Sequence, residues 1–102
     1  MRDTNLQNMD EKEMRSRINP QLRDITFKLN GREVKNLSKL VVLTILKDPF
    51  IDNKYRFCGQ GEMKTQFGTE FKIEHIIFEG NARIENGNDF KITDRVINIQ
   101  KR

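Results

Sequence analysis

The chain has 102 residues, 35% of them hydrophobic and 33% charged, with nineteen bases and fifteen acids for a net charge of +4. That length suits one domain with a modest core, and the composition leaves room for a solvated tail. A lone cysteine, Cys58, excludes an intramolecular disulfide. The longest apolar run, Leu40–Leu43, is far short of the roughly 20 residues that span a bilayer, and Met1–Asn5 leads into polar sequence with no secretory h-region, so a cytoplasmic or intracellular protein that avoids membranes is expected.

Residues 1–19 are polar, with Leu6, Met9, Met14 and Ile18 forming a thin apolar stripe. Asp10, Glu11 and Glu13 precede Arg15 and Arg17, the order that suits a helix dipole and i,i+4 pairing. The segment reads as a charged tail or loosely docking helix, followed by a compact domain over 20–102. Asn19-Pro20 marks the boundary, because a residue before proline is pushed out of the α region. Ile25, Phe27 and Leu29 then alternate with polar residues as a half-buried strand. Asn30-Gly31 is a strong hairpin signal, and Arg32–Leu37 is the return strand.

Residues 38–48 are the apolar centre of the chain. Ser38 suits a helix N-cap, Lys47 suits a helix end, and Asp48-Pro49 stops the element. Against this, Val41, Val42, Thr44 and Ile45 are β-branched and favour a strand. The start and stop signals tip the expectation to an apolar helix that packs on a sheet or on a second copy. Leu40, Leu43 and Leu46 are its candidate protein-interaction residues.

From Lys54 the pattern is β with regular punctuation. Expected breaks fall at Gly59-Gln60-Gly61, Gly68-Thr69, Glu79-Gly80, Asn86-Gly87 and Thr93-Asp94. A unit of about nineteen residues occurs twice here, Gly61–Ile77 matching Gly80–Val96 around Gly-x-acid-Phe-Lys-Ile. The expected reading is two similar hairpins, about 61–77 and 80–96. Each turns at Gly68 or Gly87, sends Phe and Ile (71 and 73, 90 and 92) to the core and sends Lys72 or Lys91 outward. The fold class that follows is α+β, mainly β, with an antiparallel meander sheet.

The candidate nucleic-acid residues are Lys64, Lys72, Arg83 and Lys91, repeated in pairs and joined by Lys54, Arg56 and Arg95 if one face collects them. An ordinary solvated face, diluted by Glu62, Glu74 and Glu85, is the plainer reading. Most aromatics look like core rather than base-stacking platforms. His75, on the expected core phase, reads as half-buried and satisfied by a neighbour, and Cys58 as a small buried hydrophobe. The pair is too small a set for a metal site. Gly59-x-Gly61 lies between strands, so it is no phosphate loop. No catalytic spacing, metal or cofactor motif emerges. The expectation is a non-enzymatic accessory protein that binds a protein partner or itself, with nucleic acid as the alternative partner.

Overall fold

A computed structural model describes residues 10–86 and 89–102. Leu6 and Met9 of the N-terminal stripe lie outside the described residues, as does Gly87 of the second Asn-Gly pair.

Helix α1 spans Glu11–Ile18 and is capped by Asp10, whose carboxylate accepts from the Glu13 N–H at 2.8 Å. Glu11–Arg15 and Glu13–Arg17 form the i,i+4 pairs that the charge order favours. The chain then tightens into a 3-10 helix, Asn19–Asp24. Asn19 stays helical, with φ −53°, although it precedes Pro20. The expected boundary is therefore a change of helix type and not an exit from helix. Met14, Ile18 and Leu22 are buried against the sheet, so this segment is firmly docked.

Seven strands follow: β1 Thr26–Leu29, β2 Arg32–Val34, β3 Leu37–Lys47, β4 Lys54–Phe67, β5 Glu70–Glu85, β6 Asp89–Ile92 and β7 Val96–Lys101. They make one sheet in the order β2-β1-β7-β5-β4-β3, with β6 also paired to β5. The fold is α+β and mainly β, as expected. The sheet is mixed and not purely antiparallel, because β1 runs parallel to β7. Strand β5 organises it. One edge pairs with β4 along its whole length, and the other takes β7 at Ile76–Phe78 and β6 at Ala82–Glu85.

Residues 38–48 correct the helix expectation: 38–47 lie in β3, antiparallel to β4, and Asp48 follows its end. The β-branched run fits a pleated surface, and pairing with β4 buries Val42 and Ile45 while Leu43 and Leu46 stay exposed. The element ends at Lys47, directly before Asp48-Pro49, but it is a strand. Register shifts at 38–41 and 42–44, with Lys39 at φ 56°, bulge this strand.

The breaks expected at Gly59–Gly61 and Glu79–Gly80 are absent, and both sites lie inside long strands. These glycines make room for side chains. Gly59 pairs with Phe78 and Gly80 with Phe57, and each aromatic ring lies over its partner glycine. The turns at Asn30-Gly31 and Gly68-Thr69 are present, and both glycines have positive φ.

The core lies between one sheet face and the helical segment. It gathers Phe27, Val42, Ile45, Tyr55, Phe57, Met63, Ile76, Phe78, Ile84, Phe90, Ile97 and Ile99 around Met14, Ile18 and Leu22. Edge-to-face ring pairs, Phe27–Phe78 at 5.5 Å and Tyr55–Phe90 at 5.2 Å, tie distant strands together.

Candidate functional site on the open sheet face

In β5 the even-numbered residues Ile76, Phe78, Gly80, Ala82 and Ile84 are buried, so the odd-numbered ones face away from the core. Directly paired residues share a face. The open face therefore carries the rows Lys64–Ile73, Glu62–His75, Gln60–Ile77, Cys58–Glu79, Arg56–Asn81 and Lys54–Arg83–Lys91. Leu46 joins the Arg56 row through β3.

The first half of β5 reverses its expected phase. Phe71, Ile73 and Ile77 lie on the open face, 58%, 49% and 40% exposed. Lys72 and Glu74 take the core-side positions beyond the end of the packed helix, where Glu74 pairs with Lys72 at 3.7 Å and with Lys101 at 3.2 Å. The register from Lys54–Arg83 to Phe67–Glu70 is uninterrupted, so no bulge causes the change. The apolar pattern switches sides within a strand whose geometry does not. Phe90 and Ile92, the counterparts in the second unit, follow the expectation: Phe90 is buried and Ile92 packs against the core.

Beyond the Leu37–Met63 and Ile76–Lys101 pairs, the β4–β5 hairpin runs on as a two-stranded ribbon. Phe71 and Ile73 sit on that ribbon, and the Lys64 ammonium lies 4.1 Å from the Phe71 ring centre.

Lys64, Lys72, Arg83 and Lys91 are not one cluster. Lys72 is on the opposite face, and Lys64 is far along the ribbon. Arg83 and Lys91 are direct cross-strand neighbours, and Lys54 completes their row. Among the described residues, none of Lys54, Arg56, Arg83 and Lys91 has a carboxylate ion pair. Glu85 and Asp89 occupy the next row. Arg95 lines one groove with Arg83 and Lys91, and Asp24, Glu85 and Asp94 line it with them, three acids against three bases.

Beside this row stands Phe50, 93% exposed in the β3–β4 loop. Asp48 shapes the loop: its Oδ1 accepts from the N–H groups of Phe50 and Ile51, each at 2.8 Å. These two hydrogen bonds, with smaller help from Lys54 and Lys47, hold the Asp48 carboxyl below its ordinary value of 3.8. Leu46, Pro49, Phe50, Lys54, Tyr55 and Arg56 line one groove here. Sequence reading passed over Phe50; an aromatic directly after Asp-Pro in a turn was the available signal.

Of the apolar trio from 38–48, Leu46 is exposed on the open face and Leu43 is exposed at the bulge, its carbonyl accepting from Arg15 Nη1 at 3.4 Å. Leu40 instead packs against the core, over Gly61. Cys58 is half-buried on the open face rather than a core hydrophobe. Burial, reinforced by Glu79, pushes its thiol pKa up, which disfavours the nucleophilic thiolate. His75 is exposed on the same face, not half-buried. Among the described residues no group of three or more His, Cys, Asp or Glu is placed to hold a metal ion. Likewise none of the described helices is long and apolar enough to cross a membrane. The chain matches no protein-family model, and neither a curated protein nor a solved structure resembles it significantly.

Proposed function

We propose that this is a non-enzymatic binding protein whose partner is another protein chain, docked on the open sheet face along Phe71, Ile73 and Ile77. The carrying observation is the reversed phase of β5, which puts apolar side chains on a face that no element of the described chain covers. An antiparallel sheet with one solvated face ordinarily presents polar residues there. A two-stranded ribbon is also marginal in water by itself, and a docked partner would bury its apolar side. An intracellular setting belongs to the same proposal, since Cys58 is a lone, partly accessible thiol.

The test compares wild type with Ile73→Lys/Ile77→Lys, using light scattering of the pure protein and nuclease-treated pull-downs from the source organism. The proposal expects a self-complex or a specific protein partner that the double variant loses while remaining folded. A monomeric wild type whose captured proteins are the same as those of the variant would refute it.

A further inference from the structure

We infer a second binding site, for single-stranded nucleic acid, at the other end of the open face: Lys54, Arg56, Arg83 and Lys91 hold the phosphates and Phe50 stacks on a base. Residues 54, 83 and 91 are consecutive partners across three strands, which places their side chains side by side on one face. Like charges directly opposite one another in a sheet are unfavourable. Asp48 acts on Lys54, and Asp24, Glu85 and Asp94 share a groove with Arg83 and Lys91, but among the described residues no carboxylate closes to an ion pair with the row, while exposed Lys39, Lys47 and Lys72 each have one. An anionic ligand would relieve that repulsion, and a phosphate chain supplies charges in series.

Phe50 distinguishes the ligand class. Its ring is almost fully exposed, yet its loop is organised by the two hydrogen bonds to Asp48. An exposed ring on an ordered loop beside a cationic surface matches how single strands are held: bases stack on aromatics while the backbone follows positive charge. Duplex fits poorly. The base faces are unavailable in a duplex, and α1, which packs against the core on the other side, cannot enter a groove from this face.

The experiment is fluorescence anisotropy with a labelled oligothymidine, a duplex of equal length and a polyglutamate peptide, on the full chain. Expected is binding of the single strand at low salt. With four phosphates neutralised, affinity should fall roughly fiftyfold between about 50 and 200 mM salt. Arg83→Glu/Lys91→Glu should abolish binding. Phe50→Ala should weaken it about tenfold with an unchanged salt slope. Lys12→Glu, a charge reversal on α1, should leave it intact. Circular dichroism confirms that each variant is folded. The inference is overturned by absence of binding at low salt, by equal binding of duplex or polyglutamate, by an unaffected Phe50→Ala, or by Lys12→Glu weakening binding as much as the double reversal.

Discussion

Gly80 lies beneath the ring of Phe57, its direct partner on β4. A Cβ at Gly80 would collide with Phe57 Cζ and come within 2.9 Å of Ile97 Cδ1. Phe57 is wholly buried, so its ring has nowhere to retreat. Gly80→Ala should therefore cost about 1–3 kcal/mol of stability by overpacking, measured by chemical denaturation. Gly59→Ala should cost at least as much, because the new methyl also meets the Val41 carbonyl oxygen at 2.5 Å. Wild-type stability in either variant would contradict the packing role.

Phe71 and Phe90 hold the same place in the two sequence units but opposite places in the fold. Phe90 is 2% exposed and touches Tyr55, whereas Phe71 lies open beside Lys64. Phe90→Ala should lose about 3–5 kcal/mol, as removal of a buried ring does. Phe71→Ala, at a surface site, should change stability by under about 1 kcal/mol. Comparable losses for the two would mean that the open face is packed in solution.

The helical segment seals two sheet edges with side-chain amides. Asn19 Oδ1 accepts from the Val42 N–H of β3 at 2.9 Å. On β6, Gln21 imitates a strand: its Nε2 donates to Phe90 O at 2.8 Å and its Oε1 accepts from the Ile92 N–H at 2.9 Å. Gln21→Ala leaves part-buried backbone groups unpaired and should cost about 1–3 kcal/mol, and Asn19→Ala about 1 kcal/mol. Both variants should aggregate more readily on heating, since unsealed edges pair with other chains. Light scattering during a thermal ramp gives the comparison.

The loop bearing Phe50 should open in acid. Asp48 has its pKa lowered by hydrogen bonds from Phe50 and Ile51, so its contribution is present above the ordinary 3.8 and lost as pH falls through the folded value. Hydrogen-exchange protection of the Phe50 and Ile51 amides should hold at neutral pH and be lost only below the ordinary value of 3.8. Asp48→Ala should remove that protection at every pH. Asp48→Asn, which keeps an acceptor oxygen, should retain it without the acid step. Protection that persists in the alanine variant would show that the loop is held by something else.

Local chemistry alone placed much of this protein. Asn30-Gly31 and Gly68-Thr69 turn where positive φ is needed, and Asp10 begins a helix because its carboxylate caps it. Asp48-Pro49 ends the apolar segment, and alternation across Tyr55–Phe57 puts those two rings on one side of their strand. These are effects of a few neighbouring residues, so the sequence by itself determined them. Tertiary structure decided the rest. β3 is a strand because β4 pairs with its backbone, and Gly59 and Gly80 continue their strands because rings from adjacent strands occupy the space a side chain would take. The pairing of β5 with β4 carries one phase through Gly80 and so turns Phe71, Ile73 and Ile77 outward. The same pairing separates Lys72 from Lys91, although the sequence makes them equivalents. Alternation says that two residues share a side; only the neighbouring strand and the helix packed behind it decide which side is the core.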